Sequence, residues 1–353
     1  TNQRTQAGRY TCADPAWMQS LLGRFGHSEL IEFLNEIGVL TFSTHDGWCY
    51  PLSESAQTVV ETFACALRLT GVELVLNTRV TAIRKSSTGF NLDLSSGATL
   101  STRRLIVAAG GRAYPTLGSR GELFPSLKAL GHTVIPLSPA LAPVTCDMKP
   151  YKGLSGIRFD ARVSLLENDN LLAETTGNLI FTDWGLNGPA VMDLSHHIST
   201  RPSARLELSL TPLFAAEPAL RDLIARKRST PTPLRTLLGA ALPPKLVPVL
   251  LVRAGLNPDA LVNQANENQL EKLFRICTAL PFKVTGVRGF EYCQISAGGV
   301  PVTEVDPLNM RSLIVPGLSL VGETLDVVGP CGGYNLQFAF SSGAIAGMSI
   351  FDH

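Results

Sequence analysis

The spacing of apolar positions along this chain changes several times, and each change marks an element. Leu30, Ile31, Leu34 and Ile37 recur at helical intervals between Ser28 and Gly38, which predicts one short amphipathic helix with a glycine stop. A second helix is expected from about Glu54 to Leu69, burying Val59, Val60, Phe63 and Leu67 and ending at Gly71. The pattern then becomes extended. VELVL from Val72 and VTAIRK from Val80 read as strands, and GFNLDLSSGATLSTRRLIVAAGG from Gly89 reads as a hairpin followed by a buried strand. That strand ends in Ala108-Ala109-Gly110-Gly111. A glycine pair there lets the backbone turn sharply or approach a ligand, and a turn is the commoner use.

From Pro139 the texture shifts to proline-bounded segments. ARVSLLEND, NLLAETT and GNLIFTD look like successive antiparallel strands, with Asn168-Asp169 as a turn. In FTDWGLNGPA, Gly185, Gly188 and Pro189 shape a turn into a short helix. Nearly everything from Pro212 to Thr278 reads as helical, including EPALRDLIARKR and NQLEKLFRICTAL, before extended character returns with FKVTGVRGFEYCQIS. The last stretch runs LSLVG, a loop broken by Gly329 and Pro330, the pair Gly332-Gly333, and then a helix. Leu336, Phe340 and Ile345 are its residues to bury, among the small residues Ala339, Ser341, Ser342, Gly343, Ala344 and Gly347. The first amides of such a helix lack intrahelical partners and carry the positive end of its dipole, so they suit an anionic ring edge or a phosphate.

Composition narrows the function classes. At 353 residues the chain is long enough for two or three domains, and 45% hydrophobic residues allow a sizeable core. Thirty basic residues against twenty-nine acidic ones offer no basic field of the kind a nucleic-acid binder needs. The seven cysteines, at 12, 49, 65, 146, 277, 293 and 331, show no CxxC spacing, so neither a zinc site nor a disulfide framework is indicated and a reducing cytoplasm is expected. The most apolar region, from Leu234, is interrupted by Pro243, Pro244, Lys245, Pro248 and Arg253, which predicts short packed helices rather than a bilayer span. No signal peptide is evident.

Most catalytic motifs are missing. No HExxH, GxSxG or P-loop occurs, and His196-His197 reads as a solvated helix end before it reads as a metal site. No two glycines stand at i and i+2, so the GxGxxG dinucleotide fingerprint is absent too, and no second nucleotide domain is hidden between residues 140 and 285.

What remains is a set of blocks that together resemble one family. GETLD from Gly322, GGYNLQ from Gly332, the following SSG, AAGG at 108–111, FTDWGLNGPA and AGGV at 297–300 are similar to the bacterial NAD(P)/FAD-dependent oxidoreductases of the BaiN and aminoacetone-oxidase type. The resemblance implies an α/β fold: a discontinuous, two-dinucleotide-binding-type FAD domain over 1–140 and 285–353. Into it are inserted a β-rich domain at 141–212 and a helical subdomain at 213–284. It further implies that Gly322, Glu323 and Asp326 lie on the ribityl and phosphate side of FAD and that Gly332, Gly333, Tyr334, Asn335, Leu336 and Gln337 lie along the ring. Ala109, Gly110 and Gly111 would lie against the ADP part, and Val80 at the adenine. Tyr334, Asn335 and Gln337 are the polar groups expected to reach the ring.

Three positions depart from the family pattern. Cys331 stands where threonine is common, Asp183 where histidine is common, and Arg120 and Glu122 occupy what is often a T-G-D-G turn. The chain opens TNQRTQ without methionine, and Thr1-Asn2 resembles the end of the family's R-C-N-L-T-N segment, so a processed or truncated start that omits the first strand and phosphate turn is expected, with a divergent domain that begins here and no longer holds FAD tightly as the alternative. The activity implied is an FAD-dependent oxidoreductase acting on a small organic substrate, without nucleic acid or membrane as partner. NAD(P)H would visit only transiently. A non-catalytic nucleotide-binding or interaction scaffold is the alternative, and a role in RNA modification is disfavoured by the neutral charge.

Overall fold

The early helices begin where side chains cap them. Asp14 accepts from the amides of Ala16 and Trp17 ahead of the helix Pro15–Arg24, and Ser55 accepts from Thr58 ahead of the helix Ala56–Leu69. Glu29 reaches back to the Gly26 amide at 2.9 Å to open the helix His27–Glu36, and Gly38, at φ +95°, ends that turn. The computed structural model describes residues 1–199, 201, 203–210 and 216–350. By contact density the chain divides into two units, one made of Thr1–Ser138 with Gln294–His353, the other of Pro139–Cys293.

In the first unit the strand Leu318–Leu320 pairs in parallel with Leu105–Val107, and every residue of Leu318–Leu320 is buried, as a strand covered on both faces requires. A three-stranded antiparallel sheet, Val80–Lys85, Phe90–Leu94 and Thr99–Thr102, lies next in sequence and contributes the buried Ile83, Phe90 and Leu92 to the core. Trp17, Leu21, Leu30, Leu320, Phe338 and Ile345 fill that core from the helices and the parallel pair.

Three sequence expectations fail in this unit. The helix Ala56–Leu69 buries none of its residues fully: Val59 and Phe63 pack partly against the core, but Val60 is 61% exposed. Residues 72–76 form no strand, because among the described residues no neighbouring strand takes their backbone hydrogen bonds. The C-terminal helix Tyr334–Ser349 turns a different face inward from the one the apolar spacing suggests. Tyr334, Gln337, Phe338, Ser341, Ser342, Ile345, Ala346 and Ser349 are buried, and Leu336 is 58% exposed. Small polar residues hold the inner face because they bond to nearby groups; Ser342 Oγ accepts from the Gly322 amide at 2.9 Å and donates to the Phe338 carbonyl at 2.8 Å.

The second unit is a closed six-stranded antiparallel barrel. Around it, Asn170–Thr182, Gly185–Asn187, Val144–Cys146, Leu280–Val287, Arg205–Ser209 and Arg158–Glu167 follow one another and return to the start. NLLAETT and GNLIFTD are one long strand rather than two, and it pairs with Arg158–Glu167 through Asn168 and Asp169, both at positive φ. Phe282 stacks on Tyr151 at 4.2 Å and meets Phe181 edge-on at 5.7 Å in the barrel interior. The helices Ala216–Arg226, Leu234–Gly239, Val247–Arg253 and Glu267–Thr278 belong to this same unit, and residues 212–215 of the expected helical stretch lie outside the described ones. The sequence-based division set 213–284 apart and resumed the cofactor domain at 285. In the structure the strand Leu280–Val287 closes the barrel, and the return falls at Gln294.

Candidate functional site

Most of the residues proposed for cofactor contact lie in the first unit's loops at the ends of the parallel strands. The buried strand Leu105–Val107 runs into Ala109, Gly110 and Gly111. A Cβ at Gly111 would lie 2.0 Å from Ser296 Oγ and 2.4 Å from Glu323 Oε1, so the glycine is required by protein atoms. Ser296 knots three segments: its hydroxyl donates to Glu323 Oε1 at 2.6 Å and accepts from the Arg112 amide at 2.8 Å, and its own amide donates to Glu323 Oε1 at 2.7 Å. Burial pushes the Glu323 carboxyl up, and the two Ser296 hydrogen bonds oppose that shift without cancelling it.

Asp326 is held in the same manner, its Oδ1 accepting from the Gly298 amide at 2.7 Å. Gly322 sits at φ +59° with its amide on Ser342. The two acids and Gly322 therefore brace the loop that follows the strand Leu318–Leu320. Ser296 and Ser342, which do the bracing, carry no sequence signal, because their partners lie far along the chain.

Val80 opens the strand Val80–Lys85, opposite Leu94. Its neighbour Arg79 pairs with Glu122 at 3.1 Å, and Glu122 lines a small depression together with Ala109, Gly110, Arg120, Phe124 and Thr324. The pair brings Val80 to the edge of the region that holds Ala109 and Gly110, and it gives the departure from T-G-D-G at Glu122 a structural role. Arg120 turns back, donating to the Pro115 carbonyl at 3.3 Å.

The second glycine pair begins the C-terminal helix. Gly332 and Gly333 have φ of +107° and +94°. A Cβ on Gly332 would lie 2.9 Å from the Trp48 ring, and one on Gly333 2.4 Å from the Thr1 carbonyl oxygen. Asn2 Nδ2 donates to the Gly332 carbonyl at 2.9 Å, so the segment at Thr1-Asn2 seals one side of this turn.

The side chains expected to reach a ring are tied to protein instead. Tyr334 is buried and its hydroxyl donates to the Arg4 carbonyl at 3.1 Å. Asn335 clasps Gly329, accepting from its amide and donating to its carbonyl at 2.8 Å each. Gln337, 0% exposed, accepts from the Thr1 hydroxyl and donates to Ser341 Oγ at 3.1 Å.

The backbone of this turn is different. Among the described residues no side chain caps the helix, and beyond the local turn at Cys331–Gly333 the amides of Gly332, Gly333, Tyr334, Asn335 and Leu336 make no hydrogen bond to another segment. Gln337 is the first whose amide is satisfied, by the Gly333 carbonyl at 3.0 Å. A row of free donors at the positive end of a sixteen-residue helix suits an anionic or strongly accepting group. Backbone donors, rather than the side chains tied to protein, are what this turn offers to a ligand. Cys331 beside them touches Gln294 Oε1 at 4.0 Å.

In the second unit, Asp183 is exposed at the turn between Asn170–Thr182 and Gly185–Asn187. His196 and His197 are half-buried rather than solvated, their rings 4.0 Å apart, and burial pushes His196 down to about 4. Among the described residues no group of His, Cys, Asp and Glu forms a metal cluster, and no helix is long and apolar enough to cross a membrane.

The sequence as a whole has recognisable relatives. A family model described as the HI0933-like protein Rossmann domain matches residues 1–349. The chain is 32% identical over 352 residues to the 3-dehydro-bile acid delta(4,6)-reductase of Clostridium scindens, covering 98% of this chain and 86% of that protein. It is 30% identical over 345 residues to the ribosomal RNA dihydrouridine synthase of Escherichia coli, covering 97% of this chain and 84% of that one. To the enzyme of the same name from Haemophilus influenzae it is 28% identical over 356 residues, covering 99% and 86%.

Proposed function

The chain belongs to the HI0933-like Rossmann-domain family, within the FAD-dependent oxidoreductases, and on that premise we propose that it reduces a carbon–carbon double bond conjugated to a carbonyl in a small organic substrate. The observation that carries this reading is the run of amides from Gly332 to Leu336 that no side chain and no other segment takes up. Bound FAD supplies the hydride chemistry. The protein's part is to bind and orient it: the free amides and the helix dipole hold the anionic edge of the ring, the Glu323–Ser296–Gly111 knot fixes the strand ends around it, and Val80 marks the adenine side. NAD(P)H serves as a transient electron donor in this proposal. Free thiols at all seven cysteines support a reducing compartment, here the cytoplasm.

The substrate class rests on chemistry shared by the relatives' names, since a delta(4,6)-reductase of a 3-dehydro steroid acid and a dihydrouridine synthase both saturate a double bond next to a carbonyl. The two dihydrouridine synthase relatives favour a second reading, with RNA as substrate. The balance of thirty basic and twenty-nine acidic residues weighs against it, because RNA binding draws on phosphate contacts. Filter binding of ribosomal RNA fragments at low salt separates the two.

Leu336→Pro tests the central point. Proline removes one of the free amides from the first helical turn, where its ring is tolerated, while Leu336 is already exposed. Flavin affinity is expected to fall about tenfold against a Leu336→Ala control, the loss of one hydrogen bond to a charged group. Equal affinity in the two variants removes the ring from this helix. Anaerobic NADPH titration then distinguishes an enzyme from a scaffold, because a scaffold leaves the flavin colour unchanged.

A further inference from the structure

One cation in the barrel unit has no use in the reading above. The Arg288 guanidinium carbon lies 3.5 Å from the centroid of the Tyr292 ring and 4.7 Å from that of Trp184. All three residues are anchored by backbone. Arg288 donates its amide to the Pro143 carbonyl at 2.9 Å, the Trp184 carbonyl accepts from Cys146 at 3.1 Å, and Tyr292 closes a turn onto the Gly289 carbonyl at 2.9 Å. Two aromatic faces attract the guanidinium and restrict its rotation.

The N–H groups of this guanidinium take no hydrogen-bond or ion-pair partner among the described residues. Asp183 and Glu291, the acids on the contributing loops, are exposed and neither pairs with it. An arginine already held in place, with its in-plane donors free, is arranged for a planar oxyanion gripped by two parallel hydrogen bonds. The same loops carry no second cation, so a single carboxylate fits better than a phosphate backbone, which draws on several cations at once. Tyr292, 49% exposed, leaves part of its ring open to the body of the molecule.

We propose that Arg288, backed by Trp184 and Tyr292, is a binding site for the carboxylate of a small acid with an apolar body. This deepens the reading that the chain acts on a small molecule, and it rests on that reading for calling the acid a substrate. The test measures binding without turnover. Purified full-length chain is titrated calorimetrically with 2-naphthoate and with the neutral 2-naphthamide.

Naphthoate is expected to saturate one site and naphthamide to bind at least tenfold more weakly. Arg288→Met should lower naphthoate affinity by about 10- to 100-fold, the range for losing charge-assisted hydrogen bonds. Arg288→Lys should fall between, with unchanged circular dichroism in both. Equal binding of acid and amide, unchanged affinity in Arg288→Met, or no saturable binding of naphthoate overturns the proposal. So does an RNA hairpin that displaces naphthoate with a steep salt dependence, which would assign the cation to phosphate. Failure here with flavin reduction intact leaves the reductase reading standing, and the reverse result leaves the carboxylate site standing.

Discussion

Replacing Gly111 by alanine tests whether the knot at the strand ends is as tight as the distances imply. Gly111 is outside the left-handed region, so alanine adds no backbone strain and the effect is purely steric. The new methyl would stand 2.0 Å from Ser296 Oγ and 2.4 Å from Glu323 Oε1, far inside van der Waals contact. The two oxygens must move apart from it and disturb hydrogen bonds of 2.6 and 2.7 Å, for a cost of about 2 kcal/mol, typical of overpacking.

Ser296→Ala alone removes the hydroxyl from Glu323 and from the Arg112 amide, and it should cost about 1 to 2 kcal/mol. In the double variant the nearest colliding atom is gone, so the cost should fall short of the sum by about 1 kcal/mol. Urea unfolding in a Trp184→Phe background reports on Trp17 and Trp48, which both lie in the first unit. Additivity within about 0.3 kcal/mol would falsify the claim that these side chains share one space.

Two further perturbations probe each unit separately. Glu304 is partly buried, which by itself raises its carboxyl pKa, but hydrogen bonds from Thr133 and His132 outweigh that and hold it below the usual carboxylate range. A depressed folded pKa contributes stability above the unfolded value that is lost as pH falls through the folded one. Glu304→Gln should therefore cost about 1 to 2 kcal/mol at neutral pH, with a gap from wild type that closes as pH drops below the ordinary glutamate range. A gap independent of pH would show that the charge of Glu304 contributes nothing. In the barrel, Phe282→Ala removes a ring that is 1% exposed and stacked at 4.2 Å on Tyr151, and should destabilise that unit by about 3 to 5 kcal/mol in denaturant titration. A loss under about 1 kcal/mol would mean that the barrel interior is loosely packed.

Short-range chemistry was legible in the sequence. The stop at Gly38, the Asn168-Asp169 hairpin turn, the strand ending at Ala109-Gly110-Gly111 and the helix after Gly332-Gly333 each depend on a few consecutive residues, whose backbone preferences act locally. The family blocks added the cofactor class, because they preserve a whole set of spacings at once.

Which face of a helix points inward, and which polar group is left free, were decided by tertiary structure. Leu336 looked like a core residue and is exposed, whereas Ser341, Ser342 and Gln337 are buried because distant partners satisfy them. The polar tips of Tyr334, Asn335 and Gln337 are engaged by Arg4, Gly329, Thr1 and Ser341, which leaves the backbone amides as the free donors of that turn. Ser296 joins Arg112 to Glu323 across 184 and 27 positions of chain. Hydrophobic periodicity cannot register such bonds, since it counts neighbours along the chain and they form only when the chain has folded.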